Sequence, residues 1–175
     1  MKRLSSAVPA ALLLAGCAVE TGAPEVEVFA DAPALELTGR VVDAAGIFSP
    51  DFETEMKVKL AALEDETGVQ LVVATTPDLG GQTIAAYSFD LANGWGIGSA
   101  ERDDGLLLLV APNERRVRIE VGLGLEASVR DEEAAVIIRE DIIPHFRDSD
   151  YESGVAAGVD SLIDEVTPYE LKEAA

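Results

Sequence analysis

Asp103-Asp104-Gly105-Leu106-Leu107-Leu108-Leu109-Val110-Ala111 is the stretch on which the fold turns. Gly105 to Ala111 is an unbroken apolar run of strand length, and a strand without polar alternation has to be covered on both faces. It therefore belongs inside a sheet with packing above and below. Pro112-Asn113-Glu114 then turns the chain. Beyond the turn, Val117, Ile119 and Val121 alternate with Arg116, Arg118 and Glu120. That period of two marks a strand with one wet face. The two strands read as a hairpin at the middle of a sheet.

Upstream, Ser49-Pro50 is a helix start, a hydroxyl N-cap with proline in the first helical position. Phe52, Met56, Leu60 and Leu63 share a stripe, and Gly68 closes the helix. Val69 to Thr76 is β-branched and apolar, a strand ended by Pro77 and Gly80-Gly81. Thr83 opens a second helix through Ala85, Phe89 and Leu91 that ends near Trp95-Gly96. Downstream, Asp131 is expected to cap a helix through Ile137, Ile138 and Ile142 that Pro144 stops. A last helix carries Val155, Val159, Leu162, Ile163 and Val166 on one face. Alternating helices and strands define the α/β class. The expected architecture is a single-domain α/β/α sandwich with a small mixed sheet and helices on both faces.

The N-terminus carries a different signal. Lys2 and Arg3 precede an apolar run from Ala7 to Leu14, too short to span a bilayer and of signal-peptide length. It ends in Leu14-Ala15-Gly16-Cys17, which resembles the lipobox of bacterial lipoproteins. The resemblance implies residues 1–16 as a signal peptide and Cys17 as the lipidated residue, whose acyl chains anchor the chain to a membrane. Ala18 at the next position leans towards the outer membrane of a Gram-negative envelope. Residues 17–37, rich in Ala, Pro, Glu and Val without a period, read as a flexible tether. The domain is expected over 38–168, with 169–175 as a tail. Cys17 is the only cysteine, so no disulfide braces the exported domain.

The chain holds 33 acidic and 13 basic residues, a formal charge of −20, and loss of Lys2 and Arg3 would make it two units more negative. Such a surface repels phosphate backbones, which excludes nucleic acid as a partner. Asp103 and Asp104 at a strand mouth, beside a glycine, are candidate oxygen ligands for Ca²⁺ or Mg²⁺. An ordinary acidic turn has the same composition. Val121-Gly122-Leu123-Gly124-Leu125-Glu126 lacks the third glycine and following helix of a dinucleotide loop. Its glycines are expected to let the chain turn tightly, leaving Glu126 to point back at the sheet edge. Asp43, before the first helix, is a turn former or a further ligand. His145 has no matched serine and is read as structural, and Trp95 as a hydrophobic anchor under a loop.

Taken in order, several blocks are similar to the TPM domain family: Val41-Val42-Asp43-Ala44-Ala45-Gly46-Ile47-Phe48-Ser49, Gly68 to Val73, Trp95 to Gly98, Asp103 to Val110, Arg118 to Glu126, Ile143 to Phe146 and Asp150-Tyr151. That family includes YgcG-type bacterial envelope proteins and thylakoid-lumen photosystem II repair factors. The resemblance implies an α/β/α sandwich, a place outside the cytoplasm and divalent-cation binding by acidic loop residues. It carries Asp103 and Asp104 as ligands, with Asp43 and Glu126 as weaker candidates. Many bacterial relatives add a C-terminal membrane helix, for which the lipid on Cys17 is expected to stand in. Two functions follow: a cation-binding module that assists or interacts with other envelope proteins, or a metal-dependent acid phosphatase. The sequence offers no assured nucleophile or general acid, and only Arg102, Arg116 and Arg118 as phosphate-gripping cations near the acidic loop, so the binding module is favoured.

Overall fold

Four strands form one mixed sheet in the order β1-β2-β3-β4: β1 (Val41–Asp43), β2 (Gln70–Thr75), β3 (Gly105–Ala111) and β4 (Arg116–Val121). They come from a computed structural model that describes residues 35–167. The expected signal segment 1–16, Cys17, the expected tether up to residue 34 and residues 168–175 lie outside the described residues. The first three strands are parallel, and β4 returns antiparallel to β3. All seven residues of β3 are buried, as their uninterrupted apolar character requires.

The hairpin lies at one side of the sheet rather than at its middle, because among the described residues no strand pairs with β4 beyond β3. Arg116, Arg118 and Glu120 explain this. Charged side chains are tolerated on an edge strand and protect it from further pairing. The opposite edge is β1, only three residues long and too short to leave a period in the sequence.

The pleat sends Leu106, Leu108 and Val110 to one face, and Leu107, Leu109 and Ala111 to the other. The first face is covered by α1 (Pro50–Thr67), α5 (Tyr151–Val166) and the helical segment 131–147. The second is covered by α2 (Ile84–Trp95). Each buried leucine contributes roughly 1.5–3 kcal/mol, so β3 anchors both layers. Strands β1, β2 and β3 advance in one direction while α1 and α2 lie on opposite faces. The two crossovers therefore have opposite hand, and one of them is left-handed, against the usual preference.

Local chemistry sets the helix ends. Ser49 Oγ accepts the Phe52 N–H at 3.3 Å, and Gly68 closes α1 in the left-handed region at φ 75°. Thr83 Oγ1 accepts the Ala86 N–H at 3.2 Å, and Gly96 closes α2 at φ 61°. One face of α2 packs on the sheet. Tyr87 and Ser88 are buried, with Ile84, Leu91 and Trp95 partly so, while Ala85 is exposed and Phe89 is 58% exposed. Positions 84, 87, 88, 91 and 95 share one face at 3.6 residues per turn, and 85 and 89 fall on the next.

The helix expected to stop at Pro144 runs through it. Arg130, not Asp131, is the N-cap, and α3 (Asp131–Ile137) widens into a π-turn at Ile138–Ile142 before α4 (Ile143–Arg147). Proline lacks an N–H and its ring crowds the preceding turn, which a wider turn accommodates. The widened turn buries Ile142 completely. Gly158 on α5 makes room for it, since a Cβ there would stand 2.5 Å from Ile142 Cδ1.

Candidate acidic cleft at the mouth of the sheet

Because β4 is antiparallel to β3, the loop entering β3 and the loop leaving β4 meet at the same end of the sheet, where Leu106 is in register with Val121. The glycines bring them together. The Gly124 N–H donates to the Asp103 carbonyl at 3.0 Å, and the Gly122 N–H to the Gly105 carbonyl at 2.8 Å. A Cβ at Gly122 or Gly124 would overlap the carbonyl oxygens of Asp103 and Arg102. Gly122 has φ −67°, and Gly124 is not in the left-handed region. The loop therefore needs glycine for close backbone approach, not for the tight turn expected from the sequence. Close approach depends on what lies opposite, which the sequence does not reveal.

The two adjacent aspartates part company here. Asp104 has no exposed side-chain surface. Its Oδ1 accepts the Ser99 N–H at 2.8 Å, and its Oδ2 accepts from Arg102 Nε at 2.5 Å. Burial works against its ionisation. The hydrogen bonds from Ser99 and Arg102, with the charge of Arg102, outweigh burial and hold the carboxyl below the usual range. Asp104 is thus an internal anion that ties the loop 99–104 together. Asp103 turns the other way, exposed, with φ 49°. Its carboxylate has no hydrogen-bond or ion-pair partner among the described residues.

Glu126 is likewise exposed and without a side-chain partner among the described residues. It lines the same cavity as Asp103, a cleft of about 410 Å³ that also takes in Glu120. The sequence marked Glu120 only as part of a wet strand face. It is half-buried under α2, where Oε2 accepts from both Ser88 Oγ and Arg118 Nε at 2.8 Å. The alternation in β4 predicts which way Glu120 points, but not that a helix covers it. Two apolar side chains flank the cleft, Phe89 at 58% exposure and Leu123 at 71%.

Asp43 is elsewhere. It ends β1 in register with Thr75 and so, through β2, with Val110 at the far end of β3. Its oxygens accept from the Ile47 N–H at 3.2 Å, the Phe48 N–H at 2.9 Å and Thr75 Oγ1 at 2.5 Å. Asp43 shapes the turn into α1, the first of the two roles open to it. Of the four acidic candidates, the fold brings only Asp103 and Glu126 to one cavity with unpartnered carboxylates. Among the described residues no three acidic, histidine or cysteine side chains form a group that could hold a metal ion by themselves. His145 is half-buried in α4, and Trp95 Nε1 donates to the Leu35 carbonyl at 2.9 Å.

The TPM domain family matches residues 41–165, nearly all of the described chain, and the chain belongs to that family. Among solved structures, the N-terminal domain of a P. gingivalis protein is 34% identical with a TM-score of 0.71, covering 79% of this chain and 90% of its own. The N-terminal domain of the cg2496 protein of Corynebacterium glutamicum is 15% identical with a TM-score of 0.57, over 80% and 85% of the two chains. The BA42 protein of the psychrophile Bizionia argentinensis is 16% identical with a TM-score of 0.60, over 70% and 83%. The latter two bear on the fold alone. No curated protein matches the chain.

Proposed function

We propose that this TPM domain is a cell-envelope module, anchored through a lipid on Cys17, that binds Ca²⁺ or Mg²⁺ at Asp103 and Glu126 and engages other envelope proteins around the loaded cleft. The observation that carries this reading is that both carboxylates line one cavity and neither has a partner among the described residues. Hard cations favour carboxylate oxygens, and neither of these carboxylates would have to give up a protein partner to bind one. Two ligands leave the rest of the shell to water and backbone carbonyls, which suits an exchangeable ion. Phe89 and Leu123 would supply apolar contact to a protein partner beside the ion. Asp104 and Asp43 are left out of the ligand set because protein donors already fill their oxygens.

The phosphatase reading needs a cation to grip the phosphoryl group beside the metal. Arg102 and Arg118 are engaged with Asp104 and Glu120, and Arg116 lies at the other end of β3, so the binding module is preferred. Calorimetric unfolding of the full chain in Ca²⁺, Mg²⁺ or chelator is the test. A cation at a hundredfold excess over its dissociation constant should add about 2.7 kcal/mol. The paired change Asp103→Asn with Glu126→Gln should remove that gain. The reading fails if the double variant keeps the shift or if NaCl of equal ionic strength reproduces it. Phosphomonoester hydrolysis abolished by the same variant would favour the phosphatase instead.

A further inference from the structure

Ten lysines and arginines lie within the described residues, and seven of them form ion pairs with carboxylates. The three that do not are Arg115, Arg116 and Arg147, and all three line one cavity of about 430 Å³. In a chain with 33 acidic residues, a carboxylate partner is the default for a surface arginine. We infer that this cavity is a second binding site, for a small molecule carrying an oxyanion head, carboxylate or phosphate, on an apolar body. The inference does not depend on the cation reading.

The cavity sits at the end of β3 where Ala111 pairs with Arg116. The acidic cleft lies seven strand residues away, roughly 20 Å at 3.3 Å per residue. It is also the end at which β2 and β3 finish, where ligands of α/β sheets commonly bind. Guanidinium groups match carboxylate and phosphate geometry with paired N–H donors. Ile143, Phe146 and Tyr151 line the same cavity. The Phe146 and Tyr151 rings meet edge-on, with centroids 5.1 Å apart at 64°, and offer an apolar wall for the body of the ligand. The volume falls in the range of small-molecule pockets.

Backbone strain marks the same place. Arg115 at φ 54° and Ser149 at φ 62° both line the cavity in the left-handed region, which disfavours side chains and gathers at functional sites. Two nearby carboxylates are engaged elsewhere, and the exposed Asp148 does not line the cavity. Asp150 caps α5 by accepting the Ser153 N–H at 3.1 Å, and Glu152 accepts the Ser49 N–H at 2.5 Å. The overall negative charge does not forbid an anion here. At physiological ionic strength exposed charges are screened beyond about 8 Å, so the adjacent guanidinium groups dominate.

Titration of the ¹⁵N-labelled full chain with benzoate, phenyl phosphate, benzylammonium and benzyl alcohol, followed by NMR, tests the site. The anions should give saturable shifts centred on Arg115, Arg147, Ser149 and Tyr151, and the tighter of the two names the head group. The paired change Arg115→Gln with Arg147→Gln should weaken anion binding at least about tenfold, as expected for losing charge-assisted hydrogen bonds. The Asp103→Asn, Glu126→Gln variant should bind the anions unchanged, which separates this site from the acidic cleft. Added NaCl should weaken the anions and not benzyl alcohol, a readout that needs no variant. Equal binding of benzylammonium or benzyl alcohol, shifts that never saturate, or undiminished anion binding by the arginine variant would each overturn the inference.

Discussion

Replacing Gly124 by alanine tests the construction of the acidic cleft. A Cβ at this position would overlap the Arg102 carbonyl oxygen and stand 3.0 Å from its carbon and 3.2 Å from the Asp103 carbonyl oxygen. These are backbone atoms, and the loop holding them is pinned by Asp104 through Ser99 and Arg102. Gly124 is not in the left-handed region, so alanine suffers no φ penalty and the clash is the whole effect. Relieving it means pushing the two loops apart. Overpacking of this kind costs about 1–3 kcal/mol, and losing the Gly124–Asp103 hydrogen bond adds about 1 kcal/mol. The expected loss is therefore about 2–4 kcal/mol. Two other glycines calibrate the experiment. Gly94, in α2, has nothing within 4 Å of a built Cβ, so Gly94→Ala should gain about 1 kcal/mol from helix propensity. Gly46 is equally open but has φ 65°, so Gly46→Ala should lose about 1 kcal/mol or slightly more to the left-handed backbone. Urea unfolding followed by the fluorescence of Trp95, the single tryptophan, ranks the set. If Gly124→Ala falls within about 0.5 kcal/mol of Gly46→Ala, an ordinary surface-level difference, the close approach of the loops is refuted.

Asp104→Asn should lower stability by about 3 kcal/mol in the same assay, because both partners of the carboxylate are donors and an amide must turn its NH₂ towards one of them. Since the folded-state pKa of Asp104 is lowered, its contribution is fully present above the unfolded value near 3.9 and is lost as pH falls through the lower folded value. The variant should therefore show a flatter loss of stability below about pH 4, and an unchanged acid limb would contradict this role. Cys17→Ser should abolish metabolic labelling with a clickable fatty acid, and equal labelling of both chains would remove the lipid anchor from the proposed function.

Much of the fold is written in short-range sequence chemistry. Ser49-Pro50 and Gly68, Thr83 and Gly96 bound their helices because capping is decided within a few residues of chain. The Leu106–Leu109 run is internal because a strand with no polar residue has no face to give to water. Pro144 misled for a related reason. The expectation that it ends a helix is local, whereas the π-turn that precedes it places Ile142 against Gly158, far along the chain.

The sites depended on more distant partners. Sequence alone singled out Asp103, Asp104, Asp43 and Glu126 as carboxylates beside turns, and by itself it determined that class of residue and their loops. Only the tertiary structure decided that Asp104 faces Arg102, that Asp43 faces Thr75, and that Asp103 and Glu126 share a cavity with Glu120. The same holds for Arg115, Arg116 and Arg147. The last of these is 31 residues from its nearest partner in sequence, and the three meet because α4 packs back towards the β3–β4 turn. Capping and strand alternation are set by neighbours along the chain. The charge state, partners and company of a side chain are set by whatever the folded chain places opposite it.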